Sequence, residues 1–110
     1  MPLVAGLDFG GGAVKACVAD LESGDVLATA QEPPATAHPA PGRAEFDPAA
    51  WWQAAGAAMR SAVSAIGRAP GDYAAVSVGT LRQGYVLLDD KEELAPGVLN
   101  ADRRGADHLE

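Results

Sequence analysis

At 110 residues the chain has the length of one domain, enough to bury a core yet short for an enzyme. A formal net charge of -7 and a pI of about 4.6 argue against nucleic acid or an anionic membrane as partner: phosphate backbones and headgroups call for clustered Lys and Arg, and only Arg103 and Arg104 are adjacent. The lone cysteine, Cys17, excludes an internal disulfide. With no apolar run near the roughly 20 residues of a membrane span and no basic start typical of a signal peptide, a cytoplasmic location is expected.

Val4 to Phe9 predicts a short apolar strand carrying one carboxylate, Asp8, and Ala13 to Asp20 a second, with Lys15 near its start. Gly10, Gly11 and Gly12 between them predict a hairpin turn. Three glycines have no Cβ to obstruct a ligand and can take positive φ, so their backbone N–H groups can line a concavity for phosphate oxygens. Asp8 could then hold a divalent cation against that phosphate, directly or through water. The plainer alternative is a tight turn with an incidental aspartate. No Gly-Lys-Ser/Thr and no helix follow, which separates the turn from the better-known phosphate loops. Cys17, between Ala16 and Val18, is expected to be a buried structural thiol.

Glu22-Ser23-Gly24-Asp25 is a turn signal, and Val26 to Ala30 then predicts a third strand, completing a meander. Pro33, Pro34, Pro39 and Pro41 make the next stretch an extended surface connection, with His38 solvated in it. Asp47-Pro48 marks a helix start, since the aspartate can cap free N–H groups and proline suits the first helical position. Trp51, Ala55, Ala58, Ala62 and Ile66, flanked by Trp52, Met59 and Val63, recur at helical spacing, and Gly67 supplies the stop. Both tryptophans are expected to pin this helix to the sheet.

Tyr73 to Val78 predicts a fourth strand, small or apolar on both faces as a central strand covered on both sides would be. Beyond Gly79-Thr80 comes the polar loop Leu81-Arg82-Gln83-Gly84. Ligands gather at the carboxyl ends of strands in open sheets bearing helices, so this loop and the Asp8 turn are expected to face one crevice. Tyr85 to Leu88 predicts a fifth strand, Asp89 to Glu93 an acidic turn, and Leu94 to Leu99 a return segment interrupted by Pro96. The chain closes with Asn100-Ala101-Asp102-Arg103-Arg104, polar groups at another strand end. An α/β domain follows, with a mixed sheet of about five strands in order 3-2-1-4, the late hairpin near strand 4, and the helix on one face.

Taken in order, these stretches resemble the N-terminal part of the FGGY family of carbohydrate kinases, within the sugar kinase, Hsp70 and actin superfamily of ribonuclease H-like fold. The match runs through Asp8-Phe9-Gly10-Gly11-Gly12-Ala13-Val14-Lys15, the segment His38 to Trp52 (His-Pro-x-Pro-Gly-x-x-Glu-x-Asp-Pro-x-x-Trp-Trp), Val86 to Asp89, and Asp102-x-Arg104. The resemblance implies ATP-dependent phosphoryl transfer to a hydroxyl of a sugar or polyol. ATP and Mg2+ would lie at Asp8, Gly10, Gly11, Gly12 and Lys15, with Asp8 the metal-side carboxylate. The sugar would lie near Arg82, Gln83, Asn100, Asp102 and Arg104. Gly11, Gly12 and Ala13 stand where hydroxyl residues are usual, which removes side-chain contacts to phosphate. Asn100-x-Asp102-x-Arg104 with Arg82-Gln83-Gly84 is similar to the autoinducer-2 kinase branch, while the xylulose kinase branch carries Gln-x-His at that loop.

Kinases of this family are several times longer, and their catalytic base is expected beyond residue 110. The chain therefore reads as residues 1–110 of an incomplete kinase domain, inactive alone and prone to self-association. Two rivals differ in class. A ribonuclease H-like nuclease needs several carboxylates converging on two metals, whereas Gly79-Thr80 ends the fourth strand without one. A stand-alone nucleotide- or sugar-binding module of the same fold is the other.

Overall fold

The computed structural model describes residues 2–34, 36–91 and 96–108. Strands β1 (Leu3–Phe9), β2 (Val14–Asp20) and β3 (Val26–Glu32) form the expected meander; short strands β4 (Thr36–Ala37) and β5 (Glu45–Phe46) precede helix α1 (Pro48–Ile66), strand β6 (Tyr73–Thr80) and the two-residue strand β7 (Gly97–Val98). The main sheet has order β3-β2-β1-β6, antiparallel within the meander and parallel between β1 and β6. Its order is the one read from the sequence.

Strand alternation decides what α1 covers. Leu3, Ala5, Val14, Ala16 and Val18 point to one face and are buried. α1 lies on that face over β2 and β3, and only marginally over β1, bringing Ala58 and Ala62 against Leu3, Ala16 and Val18. Alanines at the contact let helix and sheet approach closely. The Asp47 carboxylate accepts from Ala49 N at 3.0 Å and Ala50 N at 3.4 Å, satisfying two free donors of the first turn. At the other end Gly67, with φ 69°, donates to Val63 O at 3.2 Å.

A second buried cluster joins Val14, Ala44, Phe46, Trp51, Ala55 and Leu99 at the start of α1. Trp51 stacks on Phe46 with centroids 4.4 Å apart and tilts against Phe9 at 5.8 Å. Leu81 and Val86 pack onto the same cluster, so the segment between β6 and β7 meets the start of α1 there.

Five expectations need correction. Tyr85 to Leu88 is no continuous strand: Tyr85 and Leu88 are single bridge residues, Tyr85 pairing antiparallel with Val98 as the expected hairpin would, and β7 pairs with β5 in a separate sheet of order β4-β5-β7 rather than in the sheet of β6. The proline-rich connection is strand at Thr36–Ala37, which lies in that sheet. Trp52 is 75 % exposed, because it turns away from the face on which Trp51 is buried. β6 is an edge strand among the described residues, with Val76 and Val78 exposed by 59 % and 56 %; α1 sits too far toward β3 to cover them. Cys17 is partly exposed, since it belongs to the sheet face opposite α1. Glu92, Glu93, Leu94 and Ala95, expected in the acidic turn and return segment, lie outside the described residues.

Candidate active site

The face opposite α1 carries two of the residues singled out in the sequence, Asp8 and Lys15. In register across the sheet, Gly79, Asp8, Lys15 and Gln31 form one row, and Ser77, Gly6, Cys17 and Thr29 the next. Both rows line a shallow depression of about 600 Å³. Its floor is small or polar, and Asp8 and Lys15 sit directly opposite each other with opposite charge. Gln31, Thr29 and Ser77 were not singled out in the sequence. A period-2 reading of β2, β3 and β6 together would have placed them on Asp8's face.

Asp8 and Thr80 lie at neighbouring strand ends, as the shared-crevice expectation required: Phe9 pairs with Thr80, and Leu81 N donates to Phe9 O at 3.0 Å. That bond holds the Arg82-Gln83 loop beside the glycine turn. Gln83 there has φ 62°, an uncommon conformation for a residue with a side chain. Arg82, Gln83 and Asn100 are exposed.

In the turn itself Gly10 N donates to Ala13 O at 3.1 Å, closing the hairpin. The Gly10 donor is therefore lost to the expected concavity. The N–H groups of Gly11, Gly12 and Ala13 donate to no acceptor among the described residues. None of Gly10, Gly11 and Gly12 takes positive φ, so the conformational freedom anticipated for them is not used. A Cβ on Gly10 would lie 3.8 Å from Asp8 Oδ2, which places the carboxylate against the turn.

Asp102 and Arg104 come together in a network that the sequence reading did not link to Glu45. Asp102 Oδ2 accepts from Ala44 N at 2.7 Å and Arg104 Nη2 at 2.7 Å, and Oδ1 accepts from Arg104 N at 2.9 Å and Nε at 2.8 Å. Arg104 Nη2 also reaches Glu45 Oε2 at 2.6 Å. The Asp102 side chain is 2 % exposed. The Arg104 guanidinium above all, with backbone donors from Arg104 and Ala44 outweighing burial, holds the Asp102 carboxyl well below the usual carboxylate range. Asp102 and Glu45 in turn hold Arg104 protonated beyond its ordinary value. Glu45 stands in the segment that carries the resemblance, so its opposite charge to Arg104 was the available signal.

Among the described residues no group of three His, Cys, Asp or Glu side chains is placed to hold a metal by itself. One carboxylate, Asp8, beside free N–H donors suits a magnesium that takes its remaining ligands from phosphates and water. No described helix is long and apolar enough to cross a membrane.

Residues 3–110 match the profile of the FGGY family of carbohydrate kinases, N-terminal domain. The chain belongs to this family. An FGGY relative, the xylulose kinase of Streptomyces coelicolor, is 42 % identical over 106 residues, covering 96 % of this chain and 21 % of its own. Autoinducer-2 kinase of Escherichia coli (strain K12) is 37 % identical over 101 residues, 91 % of this chain and 19 % of its own. The crystal structure of xylulose kinase from Rhodospirillum rubrum superposes with a TM-score of 0.82 at 33 % identity, covering 96 % of this chain and 22 % of that one. The FGGY N-terminal fold, a mixed α/β sheet with a helix packed on it, is that of the actin and sugar kinase superfamily. The chain spans about a fifth of the length of the curated relatives it matches.

Proposed function

We propose that this chain is the N-terminal part of a longer ATP-dependent kinase that phosphorylates a hydroxyl of a sugar or polyol. The observation that carries the reading is the strand end where Asp8 stands against three unpaired N–H groups, with the Arg82-Gln83 loop tied beside it, in a chain of the FGGY family. Gly11, Gly12 and Ala13 orient phosphate oxygens through backbone N–H groups, Lys15 adds a positive charge in the same row, and Asp8 holds magnesium directly or through water. Magnesium on the nucleotide supplies neutralisation of charge on the phosphates. On the sugar side, Arg82, Gln83 and Asn100 offer exposed polar groups, and Asp102 fixes Arg104 for its contact. Xylulose and autoinducer-2 are the first substrates to try, since the relatives are a xylulose kinase and an autoinducer-2 kinase.

The catalytic base lies outside these residues, so the chain alone binds without turnover, and its open β6 edge drives self-association. Coupled ADP release, assayed on the longer protein with ketopentoses, polyols and autoinducer-2, tests the activity. Asp8→Asn lowers kcat by about 100-fold or more while sugar KM stays near its original value. Arg82→Ala raises the KM for sugar well beyond that for ATP. An Asp8→Asn enzyme with unchanged kcat removes Asp8 from the chemistry.

A further inference from the structure

Two of the expected sugar-side residues, Asn100 and Arg104, sit on a stretch with little regular structure of its own, since only Gly97–Val98 of residues 97–104 is strand. The segment ahead of α1 holds it instead. Leu99 N donates to Ala44 O at 2.9 Å and Ala44 N donates to Asp102 Oδ2 at 2.7 Å, so one buried residue grips both ends of the turn that carries Asn100. The pair of Asp102 and Arg104 is local to that turn. Glu45 is not: it lies on β5, 59 residues from Arg104, with its side chain 16 % exposed. Its contact is also chemically distinct. A guanidinium has two edges that can each donate a parallel pair of N–H bonds. Asp102 fills the edge made by Nε and Nη2, and Glu45 Oε2 accepts from Nη2 at 2.6 Å, which breaks the second edge, Nη1 with Nη2. Nη1 is then the nitrogen that meets no acceptor among the described residues, in a side chain 34 % exposed.

We infer that Glu45 is a positioning residue that sets specificity: by occupying Nη2 it leaves Arg104 one nitrogen, Nη1, with which to hold a single neutral hydroxyl, and it denies a sugar acid the paired edge that a carboxylate would need. This rests on the sugar reading above and goes beyond it by giving a role to a residue that acts through Arg104 rather than by touching the sugar. Charge works in the same direction. Asp102 and Glu45 set two carboxylates against one guanidinium, so the cluster as a whole repels an anion and leaves a hydroxyl unopposed.

Kinetics of the longer protein test the inference, with D-xylonate as the carboxylate-bearing competitor of the sugar. Glu45→Ala is expected to raise the sugar KM about tenfold, with kcat and the ATP KM within about twofold of the parent's. The inhibition constant of D-xylonate should move the opposite way and fall, because the paired edge is open. Glu45→Gln, whose amide oxygen still accepts from Nη2, recovers most of the sugar KM. In an Arg104→Lys background Glu45→Ala adds no further rise. Asp47→Ala, which removes only the cap of α1, lowers the melting temperature and leaves the sugar KM and the D-xylonate constant unchanged. Equal rises in the sugar and ATP KM, or D-xylonate weakened along with the sugar, reduce Glu45 to a structural ion pair and overturn the inference. Independently of turnover, Glu45→Ala in the 15N-labelled chain is expected to shift the Arg104 Nε and Asn100 amide signals while those of β1 to β3 stay in place. Unmoved Arg104 signals overturn the inference by themselves, whereas a longer protein that releases no ADP with any sugar fails the kinase reading.

Discussion

Asp102 has no lone-pair direction to spare: four donors from Ala44 and Arg104 converge on its two oxygens. Because its carboxyl titrates below the usual carboxylate range in the folded chain, the stability it contributes is fully present above about pH 4, the ordinary value in the unfolded chain. It is lost as pH falls below that point toward the lower folded value. Thermal melts across pH 2 to 7 are expected to show a decline below about pH 4 that Asp102→Asn flattens, the variant melting lower at neutral pH. A variant with the parent's acid decline would move the effect to another carboxylate. The sequence showed Asp102 and Arg104 as a pair, but Glu45 lies 59 residues from Arg104, and no local pattern announces a contact of that range. Gln83 was legible only as a polar loop residue, since a residue with a side chain gives no local signal for its left-handed conformation.

The elements that sequence alone revealed are those with a repeating signal over several turns or pleats. α1 was bounded by Asp47 and Gly67, and each does what its chemistry allows, one as acceptor for two N–H groups and the other in the left-handed conformation. Replacing Asp47 by Ala leaves those donors unsatisfied by protein and is expected to cost about 1 kcal/mol, with a melting temperature lower by about 4 °C; chemical denaturation checks the value. An Asp47→Asn chain should recover most of that loss, since the amide oxygen also caps. The β4-β5-β7 sheet was illegible because strands of two residues carry no periodicity. Tyr85 to Leu88 was legible only in part: β-branched and aromatic content suggested a strand, and the segment makes single bridges at Tyr85 and Leu88 without a continuous ladder. The site was legible to the extent that it follows from strand ends. Asp8, the glycine turn and the Thr80 loop are neighbours because β1 and β6 are parallel and adjacent.

At the scale of the molecule, the described fold leaves much apolar surface in water. The radius of gyration is 16.7 Å, where a compact chain of this length has about 13 Å. The accessible surface is 7295 Å², against about 5700 Å² for a compact monomer of this mass. The most exposed feature capable of specific pairing is β6: eight residues, Tyr73–Thr80, without a charge or a proline, open along one edge among the described residues. Lys, Asp, Glu or Pro on an edge strand deters association, and β6 has none of them. Val76 and Val78, exposed on the α1 side of the sheet, add apolar area beside the bare edge. We infer that the isolated chain forms a dimer by antiparallel pairing of two β6 edges, continuing the sheet across a twofold axis. The net charge of -7 on each copy opposes this contact, so the dimer should tighten as salt screens the repulsion. Sedimentation at micromolar concentration is expected to show a dimer that strengthens from low to high ionic strength. Val76→Lys places a cation at the contact of both copies and should yield a monomer with an unchanged circular dichroism spectrum. A monodisperse wild-type monomer at every ionic strength would show that the edge is closed in solution, and a Val76→Lys chain that still dimerises would move the contact away from β6.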